Sequence, residues 1–214
     1  MLRQSIETTV TRARHFFGRC RDSCEGVAAI EFAFIVPIMA VMFIGAVEMS
    51  QVITVDRRVN QVASSTADLV ARADTQISQT EIGDIMRVGG YVMVPYSQAP
   101  MQIVLRNVTS SPSDAANAKQ SWICTYSGTG QSQACNCTNT TYTLPSNLVT
   151  TNDSVVVAEV TYLYKPLIFD YFMKRGTNNG SGTYTLSDTI YLKPRSQAAM
   201  LLQSNNTPCP SPTF

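Results

Sequence analysis

An unbroken apolar run near the N-terminus dominates the hydrophobic pattern of this chain. From Val27 to Val47 there are twenty-one residues, and Glu31 is the only charged one among them. At a rise of about 1.5 Å per residue, about 20 apolar residues cross the roughly 30 Å hydrocarbon core of a bilayer. The apolar core of a secretory signal is shorter and precedes its cleavage site. The run therefore predicts a retained transmembrane helix with one carboxylate near its N-terminal edge.

The pattern after the run predicts that the helix continues outside the membrane. No glycine or proline occurs between Gly45 and Gly83, so nothing in this stretch stops a helix. Small and β-branched residues recur there at alternating spacings of three and four: Val52, Val55, Val59, Val62, Thr66, Leu69 and Ala73. We expect one helix from about Val27 to about Asp74, whose outer half carries a heptad-like seam. Such a seam suits packing against another helix or against the chain's own domain.

A second, shorter helix is predicted by a capping signal. Ser78 followed by Glu81 is a capping box, and the helix it starts is expected to reach about Val88 and to end at Gly89-Gly90. Beyond these glycines the pattern becomes alternating and rich in β-branched residues. It predicts strands at Met101–Val108, Ser121–Tyr126, Ser154–Tyr164 and Thr183–Leu192. Between the last two, Pro166–Met173 is an aromatic run interpreted as a helical turn, and Gly176–Gly182 is a predicted loop.

These elements predict an α+β fold. A long N-terminal membrane-spanning helix continues into an amphipathic helix, which packs on a small antiparallel β-sheet domain with disulfides. The predicted organisation is a basic leader (1–26), a transmembrane helix (27–53), an extramembrane helical region (54–88), a β-rich domain (89–200) and a Pro-rich tail (201–214).

The charge distribution sets the expected topology. The net charge is +1 and charged residues make up 14% of the chain, which excludes a typical nucleic-acid surface. Five arginines precede the span, whereas only Arg57 and Arg58 closely follow it. Because Lys and Arg near a span favour the cytoplasmic side, we expect a cytoplasmic N-terminus and an external C-terminal domain.

The cysteines fall into two groups. Cys20 and Cys24 precede the span; those after it are Cys124, Cys135, Cys137 and Cys209. The second group predicts disulfides in an oxidising compartment. The polar segment Ser127–Thr143 cannot bury a core, and a bridge from Cys124 to either Cys135 or Cys137 would staple it, with Cys209 pairing with the cysteine left over. Free redox-active thiols and a metal site are the alternatives.

Little in the sequence suggests catalysis. The only histidine, His15, precedes the span, and the carboxylates beyond the span form no clustered motif. There is no phosphate-binding glycine-rich loop. We therefore expect no enzyme activity, no metal and no cofactor.

The residues around Glu31 resemble a known family. Gly26 followed by four small or apolar residues and then Glu31-Phe32 resembles the processing site of type IV prepilins, particularly of the Flp/Tad class. The surrounding 48 residues, from Glu25 to Arg72, are similar to the N-terminal region of TadE-like proteins, which are minor pseudopilins of Tad pilus systems. The segment SDTIYLKPR near the end also resembles the last strand of that family.

The resemblance implies a function and a set of partners. A prepilin peptidase would cut between Gly26 and Val27 on the cytoplasmic face of the bacterial inner membrane, and the C-terminal domain would lie in the periplasm. Glu31 would meet the new amine of a neighbouring subunit, with Phe32 completing the recognition motif. The implied partners are the peptidase, other pilins and pseudopilins, and the Tad secretion machinery.

Two rival interpretations remain open. A signal-anchored periplasmic protein unrelated to pili would keep its leader and would bind or support a partner through the disulfide-stapled domain. A thiol oxidoreductase would use Cys135 and Cys137 as a redox pair.

Overall fold

The chain divides into two compact units, Met1–Val47 and Glu48–Phe214. The computed structural model describes residues 26–73, 76–166, 183–195, 199–204 and 207–214. The predicted leader before Gly26 lies outside the described residues, with Cys20 and Cys24. So do the predicted loop at Gly176–Gly182 and, apart from Pro166, the predicted helical turn.

The long N-terminal helix is confirmed. Helix α1 runs from Val27 to Ala71 with Pro37 inside it, as the absence of later breakers predicts. Within the second unit it buries Val55, Val59, Val62, Ala63, Thr66, Ala67, Val70 and Ala71. Leu69, a predicted seam position, is instead exposed. An α-helix has 3.6 residues per turn, so the buried stripe drifts from a strict heptad and reaches Val70 where the seam predicts Leu69.

The capping box is also confirmed, but the predicted end of the second helix is wrong. Helix α2 runs from Gln79 to Val92, and Ser78 and Glu81 form the reciprocal capping pair. Gly89 and Gly90 lie inside the helix and are buried. A Cβ on Gly89 would come within 2.8 Å of Cγ2 of Thr66. This glycine therefore allows α2 to approach α1 closely and does not terminate the helix.

The predicted antiparallel sheet forms the larger of two sheets. Its strands are β2 (Met101–Ser110), β3 (Ala118–Ser127), β4 (Ser132–Thr141), β5 (Ser154–Tyr164) and β6 (Tyr184–Leu192). Their order in the sheet is β4-β3-β2-β5-β6, and every neighbouring pair is antiparallel. The smaller sheet contains β1 (Gln76–Ser78), β7 (Leu201–Ser204) and β8 (Thr207–Pro208), with β7 central and parallel to β1.

Strand β4 corrects the interpretation of the polar segment. Ser132–Thr141 was predicted to lack structure of its own apart from a staple, yet it pairs with β3 along its length. Its side chains are mostly exposed, as suits an edge strand whose stability comes from backbone hydrogen bonds and a cross-link.

One main core lies under the sheet. The buried face of α1 within the second unit packs there with α2 and with inward-facing residues of β2, β3 and β5. Trp122 is fully buried and its indole N–H donates a 2.8 Å hydrogen bond to the carbonyl of Met200. That bond connects the segment before β7 to β3 of the large sheet.

Candidate functional site

The predicted processing site lies at the very start of α1. Gly26 occupies a short 3₁₀ turn directly before the helix begins at Val27. A Cβ added to Gly26 would meet no atom within 4 Å, and the Val27 side chain is exposed. The backbone around the Gly26–Val27 peptide bond is therefore open within the described part of the chain.

Glu31 lies one helical turn after Val27. Residues four apart lie on the same side of a helix, so Glu31 and Val27 share one side of α1. Glu31 and Phe32 are both exposed. Among the described residues Glu31 makes no hydrogen bond and no ion pair.

The apolar stretch that follows is a candidate membrane span. Within the described residues, α1 is the one helix long and apolar enough to cross a membrane, and none of its most apolar window is buried inside the protein. Because exposed apolar surface of this extent is unfavourable in water, it marks a lipid or protein contact.

At the start of the second unit, α1 carries a buried carboxylate. Glu48 is buried, and Gln51 accepts a 3.3 Å hydrogen bond from the Tyr164 hydroxyl. Burial, with a further contribution from the Glu48 carboxylate, raises the pKa of Tyr164 above its usual value. The interaction of Glu48 with Tyr164 joins residues more than a hundred positions apart, so no local sequence pattern predicts it.

Arg58 has a structural role that sequence reasoning missed. Arg58 does not belong to the predicted seam of α1, but its guanidinium donates hydrogen bonds of 2.7 Å and 2.6 Å to the carbonyls of Val92 and Val94. It also lies over the ring of Tyr96, with Cζ 5.7 Å from the ring centroid. A cation on carbonyls at the C-terminus of a helix is favourable, so Arg58 fixes the end of α2 against α1. A lone arginine in a helix gives no sequence signal for such a contact.

The four cysteines after the span form two disulfides. Cys124 bonds to Cys135 across β3 and β4, and Cys137 bonds to Cys209 near the C-terminus. The sequence left open whether Cys124 pairs with Cys135 or with Cys137, and in the structure its partner is Cys135. Cys135 and Cys137 have different partners, so they do not form the redox pair that the oxidoreductase interpretation needs. Within the described ranges no group of His, Cys, Asp or Glu has an arrangement that could hold a metal.

Comparisons with known proteins give one match. No curated protein and no solved structure matches the chain. The family model described as TadE-like protein matches residues 26–68, from the glycine before α1 to the buried part of that helix. This family is a pilus-associated structural family, and the match supports association with Tad pili in general. The segment from Gly26 to Asp68 is therefore similar to TadE-like proteins, which confirms the resemblance found in the sequence.

Proposed function

We propose that this protein is a membrane-anchored, TadE-like minor pseudopilin that takes part in assembling or anchoring a Tad/Flp-type pilus. The observation that carries the proposal is that the family match, helix α1 and the apolar run all begin at the same place in the chain. The family match begins at Gly26, α1 begins at Val27, and the apolar run begins at the same residue. One position thus separates a polar leader from a helix built for an apolar environment.

Processing follows from that boundary. A prepilin peptidase cuts after Gly26, which removes the basic leader and leaves Val27 as the new N-terminus. A peptide bond enters a protease cleft in extended form, and glycine permits that conformation without a side chain that would collide with the cleft. The exposure of Val27 and the open space around Gly26 support this step.

Glu31 then acts in subunit recognition. A carboxylate inside an apolar helix costs about 2.5–3.5 kcal/mol near the bilayer centre, and less towards an edge. Pairing with the amine of Val27 on a neighbouring subunit offsets part of that cost and neutralises both charges. The environment of Glu31 supports this role, because its side chain is exposed and makes no hydrogen bond or ion pair with the described residues.

The size of the second unit favours a low-copy component. Pilins of the Flp class, which the N-terminal motif resembles, are very short, whereas this chain has a compact unit from Glu48 to Phe214. Such a subunit primes, caps or anchors the pilus in the inner membrane with its domain in the periplasm. Its partners are the prepilin peptidase, other pilins and pseudopilins, and the Tad secretion machinery.

Exchanging Glu31 for glutamine tests the recognition step. Glu31→Gln keeps the size of the side chain but removes the charge, so the protein should still insert and fold while co-purification with the pilus apparatus falls by about tenfold, equal to 1.4 kcal/mol of lost pairing. Asp56→Asn is the matched control, because it removes an exposed carboxylate further along the same helix.

The result also separates the proposal from its rival. If Glu31→Gln and Asp56→Asn both behave like the unmodified protein, Glu31 has no role in assembly. A signal-anchored protein unrelated to pili then accounts better for the chain.

A further inference from the structure

The segment 207–214 is held against the domain mainly by one covalent bond. Its Cys209 bonds to Cys137 of β4, and the two cysteines are 72 positions apart in the chain. Strand β8 pairs with β7 over two residues. One more backbone bond follows, in which the N–H of Cys209 donates to the carbonyl of Leu202 at 2.7 Å. The disulfide is therefore the strongest connection between this segment and the large sheet.

Further contacts of the segment are polar and lie at the surface. The Lys119 ammonium donates a hydrogen bond to the carbonyl of Thr213, and the Asn139 amide donates a 2.8 Å hydrogen bond to the hydroxyl of the same residue. Lys119 also lies 5.7 Å from the centroid of the Phe214 ring. Contacts that compete with water contribute little, so they do not hold the segment once the disulfide is open.

The other disulfide joins residues that the sheet already holds together. Cys124 and Cys135 are register partners on β3 and β4, whose pairing covers nearly all of both strands. Opening this bond leaves its two thiols adjacent, so the bond forms again readily. Opening the Cys137–Cys209 bond instead lets its two ends separate. The two bonds therefore differ in what their reduction releases.

The two bonds also differ in exposure. Cys137 is exposed on the edge strand β4, whereas Cys124 is fully buried and Cys135 is half-buried. Thiol–disulfide exchange requires a thiolate to reach one of the two sulfurs, so access decides which bond exchanges first. Cys209 is 2% exposed, so the accessible end of its bond is Cys137.

We propose that Cys137 is a thiol–disulfide exchange site whose reduction releases the segment 207–214. A thiolate of a dithiol attacks the sulfur of Cys137 and forms a mixed disulfide, while the sulfur of Cys209 departs as a thiolate and takes up a proton. The second thiol of the dithiol then attacks its own sulfur in the mixed disulfide, which frees Cys137 as a thiol. The dithiol loses two electrons and two protons and becomes a disulfide, and the two cysteines gain both.

Release of the segment changes the small sheet. Strand β7 lies between β1 and β8, so the loss of β8 gives β7 one unpaired edge. The carbonyl of Leu202, a fully buried residue, also loses its partner, the N–H of Cys209. The oxidised protein therefore has a paired edge at β7 and the reduced protein an unpaired one. This exchange involves the domain alone and does not depend on the pilus function.

Graded reduction of the full chain in detergent tests the exchange site. Free thiols are first blocked with N-ethylmaleimide, dithiothreitol is added, and new thiols are trapped with deuterated N-ethylmaleimide for peptide mass spectrometry. Cys137 and Cys209 should be labelled at least about tenfold faster than Cys124 and Cys135, because access limits the exchange. Equal rates, or faster labelling of Cys124 and Cys135, would refute the assignment. A difference that persists in denaturant would refute access as its cause.

Hydrogen exchange tests the release. In a Cys137→Ser/Cys209→Ser variant, the backbone amide of residue 209 should exchange at least about tenfold faster while the amides of β2 and β5 keep their rates, because only the segment opens. Cys124→Ser/Cys135→Ser is the matched control, in which the amide of residue 209 should keep its rate. An unchanged rate at residue 209 in the first variant would refute the release, as would faster exchange there in the control. Faster exchange throughout β2 and β5 would show that the bond supports the whole domain, which would also overturn the proposal.

Discussion

Val41 and Val59 belong to the same helix and are chemically identical, but their surroundings differ. Val41 is 57% exposed, whereas Val59 is fully buried against the domain. In the second stretch of α1 the chain supplies its own apolar environment through α2 and the large sheet. In the first stretch none of the most apolar window is buried among the described residues, which suits the proposed contact with lipid or a neighbouring subunit. The apolar side chains of the first stretch therefore suit a contact with another molecule, whereas those of the second stretch form part of the domain's own core.

The largest expected effect lies in the domain core. Trp122→Ala should lower the free energy of unfolding by about 3–5 kcal/mol, because it removes a fully buried ring and the hydrogen bond to Met200. Circular dichroism of the full chain in detergent should show earlier loss of β structure, while the helical signal of the apolar segment persists.

Trp122→Phe is the control for this substitution. It retains an aromatic ring and loses mainly the N–H donor, so its cost should be clearly smaller, about 1–3 kcal/mol. Equal stability of Trp122→Ala and the unmodified protein would contradict the assigned core.

A matched pair on α1 tests the comparison directly. Val59→Ala should cost about 2 kcal/mol, from two lost methyl groups and the cavity left behind. The same change at Val41 should alter domain stability by less than about 0.5 kcal/mol, as is usual for exposed sites. Chemical unfolding of both variants measures the difference. Similar losses in the two variants would mean that the domain also packs on the apolar segment.

A smaller effect is expected at the start of α2. Ser78→Ala should cost about 1 kcal/mol, because the hydroxyl of Ser78 accepts a 3.2 Å hydrogen bond from the backbone N–H of Glu81. Thermal unfolding at neutral pH measures this loss. An unchanged midpoint would refute a stabilising role for the cap.

The cap also carries a pH dependence. The backbone N–H and the hydroxyl of Ser78 donate to the Glu81 carboxylate at 2.8 Å and 2.9 Å, which holds the pKa of Glu81 below its ordinary value of 4.5. Because the pKa is lower in the folded state, this stabilisation is present above pH 4.5 and is lost as pH falls through the folded pKa. Ser78→Ala should weaken that acid dependence, since the backbone donor alone remains.

Local patterns predicted local elements well. The β-branched run Ser154–Tyr164 is β5 from its first residue to its last, and the capping box fixed the start of α2. Both signals act between neighbouring residues, so they are visible in one sequence.

Features that depend on long-range contacts were predicted less well. The glycine pair was interpreted as a helix end because its close approach to Thr66 is a tertiary contact. The polar run Ser132–Thr141 was not predicted as a strand because its partner β3 and its cross-link, and not its side chains, determine its conformation. In the candidate site, Gly26, Glu31 and Phe32 were predicted from their resemblance to the processing site of type IV prepilins, which is a local motif. The anchoring role of Arg58 requires the position of α2, which the sequence does not supply.

The most direct test of the proposed function is the mass of the mature protein from its native membrane. Processing by a prepilin peptidase predicts a chain whose N-terminal residue is Val27, and a Gly26→Ala variant that retains residues 1–26. A mature chain that still begins at Met1 would contradict the central claim.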